Sequence, residues 1–236
     1  MKLIGLKKNG NQARVEFFGC PLRCDYCTRI RQDKKDHEVT EVVEFLADPA
    51  VEDVYIGGAE PTLQKRELLD LLQRLRRMNK RITLKTRGND PEFLKSTIGT
   101  VDRYVVEVKC PLDDAACYSE LIGLSRDRTR QYINSLDRSL DVLKGQKVRV
   151  WIRAIPGFVT PERIESIGKQ ISGRASEVFL YQFLSNPADD APFREITEPG
   201  PSETEMVAFA RKLVRHVPRV IVRGRGFESE FSGNVR

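Results

Sequence analysis

Seven short runs of β-branched and aromatic residues, separated by longer amphipathic stretches, restrict this chain more than any other feature of its sequence. The runs are ARVEFFG (13–19), DVYIGG (53–58), RITLKT (81–86), RYVVEVKC (103–110), KVRVWIRAI (147–155), EVFLYQFL (177–184) and RVIVRG (219–224). Between them, apolar periodicity predicts helices at 40–48, 63–79, 91–97, 129–144, 161–172 and 202–216. The second carries Leu68, Leu69, Leu71, Leu72 and Leu75 at helical spacing. Strands that alternate with helices build a parallel sheet. Six such units in 236 residues are too few for a closed eight-stranded barrel, so the expected fold is α/β, an open partial (β/α)6 TIM-like barrel. One domain spans 1–236, with a core at about 13–184 and a loop, helix and strand in 185–236. Chemistry then belongs at the C-terminal ends of the strands. The unusual polar residues gather there, from the cysteines after the first run to Gln182 in the sixth. The Pro-rich, acidic stretch NPADDAPFREITEPGPSET reads as a long loop that covers the barrel mouth or meets a partner.

No apolar run approaches the roughly 18 to 20 residues that cross a bilayer. The segment MKLIGLKKNGNQ lacks the apolar region of an export signal, so the cytoplasm is the expected location. A formal charge of +6 is compatible with nucleic acid or an acidic protein partner. The densest basic clusters, QRLRRMNKR (73–81) and SRDRTRQY (125–132), read as solvated helix faces. Five cysteines, an odd number, without an export signal argue against a disulfide framework. Cys110 and Cys117 are therefore expected as reduced, buried small hydrophobes, with a substrate-proximal thiol as the alternative for Cys110.

The other three cysteines lie within GCPLRCDYCTR (19–29), as Cys20, Cys24 and Cys27 in a C-x3-C-x2-C spacing. A structural zinc site closes with four protein ligands, whereas an iron-sulfur cluster can leave one iron without one. Cys110, Cys117, His37 and His216, the available fourth ligands, have no paired spacing. With the aromatic Tyr26 before the last cysteine, the stretch resembles the cluster motif of the radical S-adenosylmethionine (SAM) superfamily. The resemblance implies that Cys20, Cys24 and Cys27 ligate three irons of a [4Fe-4S] cluster and that SAM chelates the fourth. It further implies one-electron cleavage of SAM to methionine and a 5′-deoxyadenosyl radical that abstracts hydrogen.

The stretch YIGGAEPTLQ (55–64) is similar to the Gly-Gly-Glu-Pro segment of that superfamily, which binds the methionyl amino group. Aligning Glu60 and Pro61 puts Gly58 and Ala59 at the two glycines. Ala59 is a departure, costing about 1 kcal/mol if that position needs φ > 0. LKTRGN (84–89), VEVKC (106–110) and VWIRAIPGF (150–158) resemble segments of the glycyl-radical-enzyme activating enzymes. By that resemblance Thr86, Glu107 and Lys109 line the SAM site. Alternation puts Glu107 and Lys109 on one face, with a salt bridge at the barrel mouth as the structural alternative. Glu107 stands where an aspartate is usual, and Lys85 where an acidic residue is usual. Arg153 has the bidentate fork to meet a carboxylate of SAM or substrate, Gln182 falls where a ribose contact is expected, and Trp151 reads as core packing. His37 and His216 look peripheral.

The leading expectation is an activase-like enzyme that takes a Cα hydrogen from a glycine of a partner protein. The 29 residues between Cys27 and Gly57 leave no room for a ferredoxin-like insertion; against this reading stands CTR, where many activases have a His-Asn pair. The alternative is a radical SAM enzyme acting on a small molecule, a nucleobase precursor or RNA, with 7-carboxy-7-deazaguanine synthase as a compact analogue whose widened cysteine loop is absent here. A third, non-enzymatic reading is an electron-transfer or metal-storage module that neither binds nor cleaves SAM. The expected electron donor is a flavodoxin or ferredoxin, commonly acidic and suited to a positively charged chain.

Overall fold

The computed structural model describes residues 1–24, 26–27, 29, 32–184 and 198–233. Ten strands run in chain order as β1 (Lys2–Asn9), β2 (Gln12–Phe17), β3 (Lys35–Asp36), β4 (Asp53–Gly58), β5 (Arg81–Thr86), β6 (Arg103–Glu107), β7 (Val148–Ala154), β8 (Glu177–Gln182), β9 (Arg219–Gly224) and β10 (Phe227–Ser232). They form one sheet in the order β10-β9-β8-β7-β6-β5-β4-β2-β1-β3. The seven strands from β2 through β9, β3 apart, pair in parallel. The helices α1 (Val39–Leu46), α2 (Lys65–Arg77), α3 (Pro91–Ser96), α4 (Ala115–Ile122), α5 (Arg126–Val142), α6 (Pro161–Ile171) and α7 (Glu203–Leu213) connect them in six βα units, as the sequence pattern requires.

Side-chain alternation gives the sheet two unlike faces. In β7, Val148, Val150, Ile152 and Ala154 are buried, while Arg149, Trp151 and Arg153 between them are half-buried. The first set packs beneath the helices. In α2, Leu68, Leu71, Leu72 and Leu75 are all fully buried, each contributing about 1.5–3 kcal/mol as an upper estimate. The second set faces a cleft whose wall includes Arg14 of β2, Arg223 of β9 and Glu228 of β10. Strands from both ends of the parallel array share that cleft, so the sheet curls without closing: an open partial barrel.

Antiparallel strands that the sequence reading missed flank the parallel array. β1 pairs with β2, and β10 returns on β9 through the two-residue loop Arg225-Gly226, with Gly226 at φ +80°. α4 was also unexpected; Asp114 starts it by accepting from Cys117 N at 2.9 Å, and Gly123 ends it in the left-handed conformation. Of the Pro-rich loop expected at the barrel mouth, residues 185–197 lie outside the described residues. The basic clusters behave as read, with Arg76, Arg77, Arg126, Arg128 and Arg130 exposed. Lys80 is the exception, buried with its Nζ donating to Asp48 O at 2.9 Å and to Val51 O.

The expectation of reduced Cys110 and Cys117 is overturned: the two form a disulfide. Asp114 N donates to Pro111 O at 3.0 Å, and this turn between β6 and α4 brings the two Cα atoms to 6.3 Å, within the bridging range. Cys110 is therefore not a free substrate-proximal thiol here. Spacing alone carried no sign of the turn.

Candidate active site

The cysteine loop is pinned from three sides. Glu60 N donates to Gly19 O at 2.8 Å, Arg23 N to Ile122 O at 2.9 Å, and Gln64 Nε2 to Phe18 O at 3.1 Å. The loop thus sits across the C-terminal end of β2, against the end of β4 and the end of α4. Cys20, Cys24 and Cys27 are all free thiols, Cys24 buried and the other two half-buried. Burial pushes the Cys20 thiol up, opposed first by Arg87; it pushes the Cys24 thiol up as well, opposed first by Lys109 and then by Arg87. Two cations are thus placed to favour thiolates. Among the described residues no group of three His, Cys, Asp or Glu side chains is already set as ligands to a metal ion. The donor set nonetheless fits an iron-sulfur cluster: three free thiols in one anchored loop, with the other two cysteines of the chain withdrawn into a disulfide.

At the end of β4, Gly58 adopts φ +94°, and a Cβ there would lie 2.6 Å from both N and O of Phe17. Only glycine fits. Ala59 has no positive φ, since Asn79 is the one non-glycine residue with it among the described residues. The departure at Ala59 therefore carries no backbone strain, and its N–H donates to Phe17 O at 2.9 Å. Glu60 is fully buried; its Oε1 accepts from Thr62 N at 3.1 Å, Thr62 Oγ1 at 2.7 Å and Thr86 Oγ1 at 2.9 Å, and its Oε2 from Arg87 N at 2.5 Å. Its carboxylate and Thr86 together lace the end of β4 to the end of β5.

One strand further, Glu107 Oε1 accepts from Tyr26 OH at 2.8 Å and from Lys109 Nζ at 2.6 Å, and Lys109 Nζ also lies 2.5 Å from Tyr26 OH. Glu107 Oε2 faces Lys85 Nζ at 3.8 Å and is in contact with Arg87 NH1. Glu107 and Lys109 do share a face, as alternation predicts, and they reach across to the cysteine loop through Tyr26. Burial pulls the Lys109 ammonium down to about 7 and pushes the Tyr26 phenol well above its ordinary value. One carboxylate thus serves three cations, Arg87 and Lys109 buried and Lys85 half-buried. Arg153 stacks over Tyr26, its Cζ 5.0 Å from the ring centroid.

The structure therefore brings Tyr26, Gly58, Lys85, Arg87, Glu107 and Arg153 to one cleft of about 680 Å³, together with Cys27. Gln182 is not among the cleft residues: its Nε2 donates to Pro201 O at 2.8 Å and its Oε1 accepts from Arg225 N at 2.7 Å. Its amide braces the start of α7 against the β9–β10 hairpin. The histidines are peripheral, His37 near Glu41 at 3.7 Å and His216 on Glu165 at 2.8 Å. Trp151, expected in the core, lines the cleft instead. Sequence reasoning also missed Arg87, Tyr55, Phe179 and Tyr181. Their signal is polar and aromatic residues at alternate positions of parallel strands, which would be apolar on both sides were both faces packed.

The sequence profile of the radical SAM superfamily matches residues 17–171, a span that holds the cysteine loop and the ends of β4 through β7. The chain belongs to the radical SAM superfamily. It is 25% identical over 221 residues, 89% of this chain and 88% of the relative, to the Methanocaldococcus jannaschii protein MJ1227, provisionally named a glycyl-radical enzyme activating enzyme. It is 22% identical over 203 residues, 78% of this chain and 91% of the relative, to 7-carboxy-7-deazaguanine synthase of Clostridium acetobutylicum. Among solved structures, Streptococcus suis SuiB superposes with a TM-score of 0.66 at 15% identity, over 92% of this chain and 48% of SuiB. That likeness shows the fold; the chain spans about half the length of SuiB. Radical SAM membership makes the chain an enzyme of radical redox chemistry that uses SAM. No helix among the described residues is long and apolar enough to cross a membrane.

Proposed function

We propose that this radical SAM enzyme cleaves SAM reductively at a [4Fe-4S] cluster held by Cys20, Cys24 and Cys27, and that its substrate occupies the cleft of the open barrel. The observation that carries the reading is Tyr26, which hydrogen-bonds Glu107 on β6 from within the cysteine loop itself. Cluster ligands and barrel-wall polar groups are thereby held as one unit. When bound, the cluster and SAM supply a 5′-deoxyadenosyl radical that abstracts a hydrogen atom. Gly58 brings bare backbone to the cleft beside the loop, where an amino group can approach. Glu107 and Lys109, paired with each other and with Tyr26, form a buried brace between the end of β6 and the cysteine loop, and Arg153 offers its guanidinium to a carboxylate. Glu60 and Thr86 act from behind, fixing the strand ends. A flavodoxin or ferredoxin is the proposed source of the electron, favoured by the chain's positive charge.

Two substrate readings rest on different observations. Similarity to the Methanocaldococcus protein supports an activase-like role on a glycine of a partner protein. The wall of charged and aromatic groups supports a small polar molecule beside SAM in the same cleft.

The test is anaerobic reconstitution followed by dithionite and SAM, with 5′-deoxyadenosine measured against Cys24→Ala. Product from the parent protein and none from the variant is expected; equal product from both sinks the proposal. A glycyl-radical doublet in the EPR spectrum, on adding a candidate partner protein, would decide for the activase role.

A further inference from the structure

The Cys110–Cys117 bridge lies outside the cleft and opens onto a pocket of its own. Cys110 is fully buried, whereas Cys117 keeps 3% of its surface and lines a pocket of about 230 Å³ with Gly157, Phe158 and Arg163. None of the residues lining that pocket lines the cleft. Glu120 and Glu198 join Arg163 in its wall, so both signs of charge are present. The turn that carries the two sulfurs is held by contacts that do not depend on the bond. Leu112 N donates to Gln170 Oε1 at 2.7 Å, Arg163 holds Asp114 at 3.1 Å, and Cys117 N donates to Asp114 Oδ1 at 2.9 Å. Phe158 O lies 3.9 Å from Cys117 Sγ, an acceptor within reach of a thiol S–H. A bond across so short and so well fixed a turn stabilises the fold less than one that closes a long loop.

The helix that the bridge anchors holds the cysteine loop at its other end. α4 is eight residues long, too short to persist without packing. Cys117 ties its first turn to the end of β6, and Ile122 O, at its last residue, accepts from Arg23 N at 2.9 Å. Arg23 lies between Cys20 and Cys24. The contact is close: a Cβ on Gly123 would stand 2.9 Å from Arg23 O. Tyr118, next to Cys117 and fully buried, accepts from Lys109 N at 3.3 Å through its hydroxyl, and its ring packs edge-on against Tyr132. α4 is therefore the piece that connects the bridge to the loop of three free thiols.

We infer that Cys110 and Cys117 form a redox-active latch, exchanged by a small thiol entering their pocket, whose state sets how firmly α4 holds the cysteine loop. A thiolate attacks Cys117 Sγ; the Cys110–Cys117 bond breaks as the mixed disulfide forms, and Cys110 leaves as a thiolate that takes a proton. A second thiolate attacks the outer sulfur of the mixed disulfide, releasing a small-molecule disulfide and Cys117, which is protonated in turn. Two electrons pass to the protein while two small thiols become one disulfide, and the reverse uses the same reagents. With the bond, the helix is fastened covalently to β6. Without it, packing and the hydrogen bonds of the turn alone hold the helix, and the Arg23–Ile122 contact opens more often. The consequence for a cluster rests on the reading of Cys20, Cys24 and Cys27 as its ligands; the exchange itself does not.

The experiment incubates the reconstituted protein anaerobically in mixtures of 2-mercaptoethanol and its disulfide, quenches with acid, alkylates, and counts labels by peptide mass. Cys110 and Cys117 are expected to pass between disulfide and dithiol as the ratio changes, in both directions and without denaturant. A pair that reacts only after unfolding, or that does not re-form, overturns the redox role. Hydrogen exchange at the Arg23 amide is the second reading, expected to be at least about fivefold faster in the reduced protein. Equal exchange in the two states overturns the latch. Cys117→Ser and Cys110→Ser should each exchange at the reduced rate in every mixture, and a variant that still follows the ratio overturns it too. Iron loss to a chelator should quicken with the exchange; iron held equally in both states overturns the effect on the cluster. A chain that binds no iron, yet whose Arg23 amide follows the pair, would sink the cluster reading and leave the latch standing.

Discussion

Thr86 Oγ1 donates to Glu60 Oε1 at 2.9 Å, joining the C-terminal ends of two adjacent parallel strands inside a fully buried polar knot. The same carboxylate takes the amide of Arg87 and both donors of Thr62. Glu60→Gln replaces one acceptor oxygen by a donor and leaves a buried N–H or O–H unmet. The expected loss is about 3 kcal/mol in urea unfolding of the anaerobic protein. Unchanged stability would show that the knot does not hold the strand ends.

Gly58 and the neighbouring Ala59 are expected to respond oppositely to a methyl group. Gly58→Ala forces a Cβ against the Phe17 backbone at positive φ, and the φ penalty alone is about 1–2 kcal/mol. Ala59→Gly removes no special conformation. Differential scanning calorimetry should place the first variant at least about 4 °C below the parent and the second close to it.

Glu107 is the one carboxylate among Lys85, Arg87 and Lys109. Glu107→Gln leaves buried Arg87 and Lys109, and half-buried Lys85, without their counter-ion, and the expected loss is about 3–5 kcal/mol. Adding Lys85→Met should recover part of it, because one cation fewer then needs a partner. A double mutant no more stable than Glu107→Gln would show that Lys85 does not feel that charge.

The Cys110–Cys117 bridge predicts a thiol count. Cluster-free protein, unfolded without reductant, should titrate three thiols and, after reduction, all five. Five thiols before reduction would remove the bridge from the account. Closing so short a loop is worth about 2 kcal/mol on chain-entropy grounds, which Cys117→Ser should forfeit.

Hydrogen bonding to His216 holds the Glu165 carboxyl below its usual range. A depressed carboxylate stabilises the fold fully above the unfolded-state value of about 4.3 and loses that contribution as pH falls through the folded value. The parent protein should therefore lose stability faster than Glu165→Gln as pH drops below about 4.3. Parallel acid limbs in the two melting series would sink the pairing.

Much of this was legible in the residues. The spacing of Cys20, Cys24 and Cys27, the strand before each polar cluster and the apolar stripe of α2 are local properties, and local properties survive in sequence. β1 was missed because KLIGLKKN carries three lysines rather than a core pattern. Gln182 was placed in the site by its position on β8, yet its amide bonds Pro201 and Arg225, partners that only the return of the chain through α7 and β9 brings near.

The sequence by itself determined the βα order, the open parallel sheet and the three-thiol loop, because each follows from periodicity or from fixed spacing along the chain. Only the tertiary structure decided what faces the cleft. Arg149, Trp151 and Arg153 read as one alternating strand, but their meaning depends on Lys85, Glu107 and Tyr26 arriving from other strands and from the cysteine loop. Charge balance is a sum over neighbours distant in sequence, and curling the sheet is what makes them neighbours.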